Sequence, residues 1–284
     1  MIMASSTEIE NFRNLARKRF EIFAWYINRL LTVKGRDVLM AITGPKRMGK
    51  STFALRLALM NDPSYSLDHV VFSVRDYISL IQRIRKEKRN GIYTILDDAG
   101  LAISNKKWYE DDKIFFGITQ EVVGYLHTCN MITVPDDKQI ESTSRGLLDF
   151  IIEADPFVRG LFSVRRRVKS KDLTHPKHYW PYLRINLLTN GHAYPIEMRQ
   201  IYCDRVTGPA FDEYEKKKDQ FFASYLTMID RKLAEAELPT QPRRQMHPNS
   251  LANLNLSPLK LKHRLDPDLP VEEALKEYRQ RNES

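Results

Sequence analysis

Between residues 36 and 153 the chain alternates short apolar runs with longer stretches whose apolar residues return every third or fourth position. The runs at 38–43, 70–74, 92–96, 131–134 and 150–153 are too short for helices and read as strands. The stretches at 50–61, 75–89, 111–127 and 138–148 carry helical spacing. Within 75–89, for example, Tyr77, Ile78, Ile81 and Ile84 share one side. Strands alternating with helices predict an α/β fold, a mainly parallel sheet with helices on both faces. Residues 7–31 form an amphipathic pattern through Ile9, Phe12, Leu15, Phe20, Phe23, Tyr26, Ile27 and Leu30, with Arg13, Arg17, Lys18 and Arg19 among them. That helix is expected to pack on the sheet edge rather than reach for a partner.

After residue 155 the texture changes. Residues 161–168 and 182–188 predict antiparallel strands flanking a polar excursion at 169–180. Residues 211–237 read as a long charged helix carrying Phe221, Phe222, Tyr225, Leu226 and Ile229. Residues 239–258, rich in Pro, Asn, Gln and Ser, read as a linker, and 271–280 as a short closing helix. The expected division is an N-terminal helix at 1–35, a core at 36–210 with a basic hairpin at about 159–188, a C-terminal helix at 211–238, and a linker and tail at 239–284.

Composition narrows the class. Hydrophobic content of 42% with 29% charged residues describes a globular chain rather than a disordered one. Charges break every apolar run before the roughly 18 residues a membrane helix needs, so no membrane span is expected. No positively charged start leads into an apolar run, so no secretory signal is expected. Cys129 and Cys203 lack metal-ligand spacing and read as buried reduced thiols. A cytoplasmic setting follows, the host cytoplasm if the protein is viral. A net charge of +9 and a pI near 9.4 favour an acidic polymer or surface as partner.

The chemistry begins where the first strand ends. Gly44-Pro45-Lys46-Arg47-Met48-Gly49-Lys50-Ser51 spells G-x-x-x-x-G-K-[ST] between a predicted strand and a predicted helix, the context that makes a P-loop credible. The glycines let backbone N–H groups curl around a β-phosphate, and the helix N-terminus adds its dipole. Lys50 brings a point charge to the β/γ-phosphates, and Ser51 offers a hydroxyl to Mg²⁺. The nucleotide-binding set is these eight residues with Thr52, and ATP with Mg²⁺ are the expected cofactors.

A second segment complements it. Ile92-Tyr93-Thr94-Ile95-Leu96-Asp97-Asp98 is an apolar strand ending in two carboxylates, the pattern of a Walker B segment. Asp97 would hold Mg²⁺ through water, and Asp98 would accept a proton from the attacking water or orient it. The plain alternative is an Asp-Asp-Ala-Gly turn. Thr133, near the end of a later strand, is a candidate contact to the water or γ-phosphate, or else a β-former in a buried strand. Arg145 is a candidate arginine finger for a neighbouring subunit, with Arg159 and Arg165 competing and a solvated helix arginine as the alternative.

Cations interleave with aromatics across residues 159–184: Arg165, Arg166, Arg167, Lys169, Lys171, His175, Lys177, His178, Tyr179 and Trp180. This composition suits phosphate contacts and base stacking, so DNA is the expected partner through Arg165, Arg166, Arg167, Lys169 and Lys171. A solvated hairpin with internally paired arginines is the alternative. His175 and His178 have no companion carboxylates or cysteines and do not read as a metal site.

The order of these segments resembles the additional-strand P-loop ATPases. Within them it is most similar to the FtsK/HerA-type DNA translocases and the Zot-like ATPases of phages, archaeal viruses and mobile elements. The resemblance covers about residues 36–188 and rests on residues 44–51 and 92–100. It implies a RecA-like P-loop fold and an ATPase working as a homo-oligomeric ring that moves or packages DNA, with Lys50, Ser51, Asp97 and Asp98 in the roles given above. Two positions depart from the pattern. Asp98 stands where a Glu is expected, and Thr133-Val134-Pro135 replaces a strand end that often carries Gln. The expected function is therefore an ATP-hydrolysing motor on DNA. The alternative is a nucleotide-gated assembly or regulatory ATPase. A nucleotide or small-molecule kinase is disfavoured by the paired Asp97-Asp98 and the lack of an Arg-rich lid.

Overall fold

Val38–Thr43 is buried at every position and forms β1 at the centre of the sheet. Its side chains alternate between two cores, as a strand covered on both faces requires. Val38, Met40 and Ile42 enter one core; Leu39 and Ala41 enter the other. The computed structural model describes residues 6–87, 91–98, 126–136, 142–169, 178–189 and 192–237. The compact unit Met1–Ser224 holds the sheet, and the second unit, Tyr225–Ser284, is described only where the last helix continues to Glu237.

The first core lies under two helices, α1 (Ser6–Thr32) and α2 (Lys50–Asn61). Phe20, Phe23, Ala24, Ile27 and Leu31 form one face of α1; Phe53, Ala54, Leu57 and Ala58 form the facing side of α2. Phe53 joins the layers, edge-on to Phe20 at 5.2 Å between centroids and tilted against Phe162 at 4.7 Å. Burying a side chain of this size contributes roughly 1.5–3 kcal/mol. As the sequence predicts, α1 packs along the sheet edge, where Arg17 pairs with Asp204 at 2.9 Å.

The second core lies under α3 (Val74–Glu87), whose Tyr77, Leu80, Ile81 and Ile84 recur at helical spacing. The preceding strand, β2, is only Val70–Val71, shorter than the predicted 70–74. The Ser73 hydroxyl accepts the Asp76 N–H at 3.1 Å and starts the helix early.

Further strands are β3 (Tyr93–Leu96), β4 (Cys129–Thr133) and, after α4 (Ser142–Leu147), β5 (Phe150–Ala154). Together with β1 and β2 they make five parallel strands in the order β5-β1-β4-β3-β2. The fold is thus mixed α/β, with a mostly parallel sheet flanked by helices. β4 is inserted between β1, which leads to the P-loop sequence, and β3, which leads to Asp97 and Asp98. Of the helix expected at 111–127, all but Leu126 and His127 lies outside the described residues. His127 has φ 49°, a turn conformation. The helix expected at 138–148 is seen over Ser142–Leu147.

The far side of the sheet departs from the expectation of one hairpin at 159–188. β6 (Leu161–Arg166) runs antiparallel to β5, and β11 (Ile201–Tyr202) runs antiparallel to β6. β7 (Val168–Lys169) and β8 (His178–Tyr179) make a two-residue pair. The segment just before β9 (Arg184–Thr189) meets β6 through an isolated antiparallel bridge between Arg165 and Tyr182, and β9 itself pairs with β10 (His192–Glu197). The Asn190-Gly191 dipeptide between two alternating segments was the available signal for that second hairpin. The excursion at 170–177 and the tail from 238 lie outside the described residues. The last described helix, α5, spans Pro209–Glu237.

Candidate functional site

Parallel strands bring their carboxyl ends to one edge, and three of them, β1, β3 and β4, deliver the site there. Ile42 is in register with Thr133, and Leu96 with Ile132. The P-loop residues, Asp97-Asp98 and Thr133 therefore arrive side by side.

The P-loop is shaped by glycine. Gly44 has φ 129°, and a Cβ there would stand 2.8 Å from the Ala154 Cβ, so neither the backbone nor the space admits another residue. Gly49 caps α2 at φ 96°. The loop is tied at both ends: the Gly44 N–H donates to the Pro135 carbonyl at 3.1 Å, and the Gly160 N–H donates to the Met48 carbonyl at 3.2 Å. Pro45, Lys46 and Arg47 are exposed, Thr52 is half-buried, and Arg47 adopts φ 66°. Lys50 is 7% exposed, and its ammonium donates to the carbonyls of Gly44 and Pro45 at 2.8 Å each. Burial lowers its pKa, against the opposing pull of Asp98 and Asp97.

Asp97 is wholly buried and accepts four hydrogen bonds. The Ser51 and Thr133 hydroxyls donate to Oδ1, each at 2.7 Å. The Tyr214 hydroxyl, at 2.5 Å, and the Lys218 ammonium, at 2.8 Å, donate to Oδ2. Burial pushes this carboxyl up, but the Lys218 charge and the donated hydrogen bonds prevail and hold it below its ordinary value. The same pair acts in reverse on Lys218, where burial is outweighed by Asp97 and the ammonium is held well above its usual range. Burial and the Asp97 charge raise the Tyr214 phenol, which stays protonated as a donor.

Asp98 sits in the left-handed region at φ 49°. Its backbone N–H donates to the Thr133 hydroxyl at 2.8 Å, and its carboxylate meets the Lys218 ammonium at 2.7 Å. Thr133 thus links both aspartates, donating to one side chain and accepting from the other's backbone. Ser51 and Asp97 present the hard oxygen donors that Mg²⁺ takes, so the donor set fits the expected ion.

The predicted residues Lys50, Ser51, Asp97, Asp98 and Thr133 come together. Arg145 does not: α4 feeds the amino end of β5, whereas the P-loop lies beyond the carboxyl end of β1. Of the competing arginines, Arg159 is exposed on the β5–β6 turn, the turn whose Gly160 N–H reaches Met48. Arg165, expected to face DNA or a phosphate, is engaged within the chain. It pairs with Glu153 at 2.7 Å and lies over the Tyr182 ring at 4.6 Å. Its pKa is raised by that hydrogen bond. Arg166 is exposed and Arg167 half-buried, Lys169 lies on β7, and Lys171 lies outside the described residues.

Tyr214 and Lys218 were not among the expected site residues. The signal for them was present: Phe211, Tyr214, Lys218 and Phe221 share one face of the predicted helix, so a lysine interrupts an apolar stripe. Nothing in the sequence says what that lysine meets.

Among the described residues, no helix is long and apolar enough to cross a membrane. No family model matches the chain. An alignment of 140 residues is 23% identical to the uncharacterized protein B-251 of Sulfolobus spindle-shape virus 1, over 45% of this chain and 56% of the viral protein. Among solved structures the chain is similar to C. elegans PCH-2, with a TM-score of 0.36 and 12% identity, over 50% of this chain and 43% of that one. The chain thus matches about half the length of each of these proteins.

Proposed function

We propose that this chain is a P-loop ATPase that binds ATP with Mg²⁺, hydrolyses it, and spends the energy on DNA in translocation or genome packaging for a virus or mobile element. One observation carries the reading: Lys50, Ser51, Asp97, Asp98 and Thr133 converge at the carboxyl ends of parallel strands, with β4 inserted between the two motif-bearing strands. The backbone of residues 44–51 cradles the β-phosphate. Lys50 exchanges its two carbonyl partners for the β/γ-phosphates, where it neutralises charge. Ser51 and Asp97 hold the metal ion, which supplies further charge neutralisation on the phosphates. Asp98 orients the attacking water and takes its proton, and Thr133 fixes the turn from which Asp98 acts. An arginine from a neighbouring subunit of a ring, Arg145 among the candidates, completes the charge balance.

The DNA component draws support from the net charge of +9 and the exposed Arg166. The likeness to a viral protein fits the setting. Two contacts favour a second reading, a nucleotide-gated regulatory ATPase without translocation. Arg165 is paired internally, and α5 is attached to the Asp97-Asp98 pair.

The test is ATP turnover with and without duplex DNA at low salt. The motor reading expects stimulation and DNA binding that weakens steeply with salt. Lys50→Ala should abolish turnover, and Asp98→Asn should keep binding but lose hydrolysis. ATP-dependent oligomerisation without DNA stimulation selects the regulatory reading, and absence of turnover under every condition refutes both.

A further inference from the structure

We propose that the Lys218 ammonium and the Tyr214 hydroxyl are a built-in occupant of the cation position beside Asp97 and Asp98, so that α5 keeps the site closed to a divalent cation with its nucleoside triphosphate until this part of the helix turns away. The proposal rests on the P-loop reading and adds to it the element that gates the site.

Three observations converge on it. The ammonium lies 2.8 Å from Asp97 Oδ2, 2.7 Å from Asp98 Oδ2 and 3.1 Å from the Tyr214 oxygen. A cation therefore already bridges the two carboxylates. An ionised carboxylate has about four lone-pair sites, and Asp97 accepts from Ser51, Thr133, Tyr214 and Lys218. A metal ion drawing on Asp97, directly or through water, must displace one of these donors. Ser51 is itself the expected metal ligand, and Thr133 is fixed in β4. Only Tyr214 and Lys218 arrive on an element that can leave.

A groove beside α5 offers space for that movement. Phe221 stacks on Phe72 at 5.1 Å, but beside this contact a groove of about 500 Å³ runs between α5, β2 and α3. Lys217 and Phe221 line it on one side, and Leu80 and Arg83 on the other. Rotation into this space lifts Phe211 and Tyr214 from the edge of the first core and breaks the Lys217 hydrogen bond to the Leu67 carbonyl at 2.7 Å, a cost that the bound cation and nucleotide must offset. Lys50, turned onto the Gly44 and Pro45 carbonyls, matches the same closed state. Tyr214 and Lys218 are four residues apart, so a single rotation withdraws both.

The experiment uses the full chain and a fluorescent ATP analogue, titrated with excess Mg²⁺ and again in EDTA. Lys218→Ala and Lys218→Gln should bind the Mg²⁺-nucleotide about tenfold more tightly than wild type, within the usual range for coupled ligands. Their affinity in EDTA should stay close to that of wild type. A second readout needs no variant: in the wild-type protein, Mg²⁺ with a non-hydrolysable ATP analogue should speed hydrogen exchange of the backbone amides around residues 214–221. If nucleotide binds but the variants bind the Mg²⁺ form no more tightly, or wild-type exchange stays unchanged, the gate is refuted while the nucleotide site stands. If neither wild type nor variants bind nucleotide, the P-loop reading falls and the gate with it.

Discussion

Replacing Thr133 with valine tests how the two aspartates are held. The methyl branch and side-chain shape are kept, and only the hydroxyl is lost. That hydroxyl donates to the buried Asp97 Oδ1 at 2.7 Å and accepts the Asp98 N–H at 2.8 Å. A hydrogen bond to a charged acceptor contributes about 1.5–3 kcal/mol, and an orphaned buried N–H costs about 1–3 kcal/mol. Asp98 is held at φ 49°, so the freed turn recovers about 1 kcal/mol by relaxing out of the left-handed region. The expected net loss is about 3 kcal/mol. Urea unfolding should show it as a lower midpoint at unchanged slope. Thr133→Ser, which restores the hydroxyl, should recover most of it. A valine variant within about 1 kcal/mol of wild type would mean that Thr133 does not anchor the aspartates.

Two further predictions concern other parts of the sheet. Gly160→Ala forces a side chain onto a φ of 83° and sets its Cβ 2.8 Å from the Cys203 carbonyl oxygen, a backbone atom that cannot swing aside. About 3 kcal/mol should be lost, and because Gly160 also ties Met48, nucleotide affinity should fall with it; thermal unfolding and nucleotide titration check both, and an unchanged melting temperature counts against the packing argument. Asp149 accepts the Leu39 N–H at 3.1 Å, and burial raises its pKa. A raised folded pKa means that its contribution is fully present below the ordinary carboxylate value near about 4 and is lost as pH rises through the folded value. Asp149→Asn keeps an acceptor for Leu39 and removes the titration. Its stability should therefore change less than that of wild type from about pH 4 to 7, measured as urea midpoints; a slope as steep as wild type refutes this.

The parallel half of the fold was legible because each element there carries its own period. β1 is apolar up to Thr43 since both its faces are covered, and α3 buries the expected Tyr77, Ile81 and Ile84, with Leu80 in the core in place of the half-buried Ile78. The meeting of residues 44–51 with Asp97-Asp98 was legible for a related reason: a glycine-rich loop after one strand and a second strand ending in two aspartates are local patterns, and parallel topology brings strand ends together. The antiparallel half was legible only near the excursion, where residues 165–169 meet 178–182, because pairing is a choice between partners. Residues 182–188 read correctly as extended, yet their periodicity could not decide between β6 and β10. Lys218 was missed for the deeper reason that its meaning lies in Asp97, 121 residues away. Arg165 shows the converse, a basic residue in a basic run whose charge is engaged by Glu153 on the neighbouring strand.

The four donors on Asp97 also set an order of assembly. They come from sequence separations of 46, 36, 117 and 121 residues. During synthesis, β1, α2 and β3 can form before residues 214 and 218 exist, and through that interval the carboxylate lacks the one cationic hydrogen-bond donor it has among the described residues. Burying it then leaves the charge with the Ser51 and Thr133 hydroxyls, which offset only part of the cost of desolvating it. The carboxyl-end edge of the sheet must therefore stay hydrated, or Asp97 protonated, until α5 arrives. Closure of this edge becomes a late, long-range event. One lysine near the end of the described chain thus couples completion of folding to formation of the site.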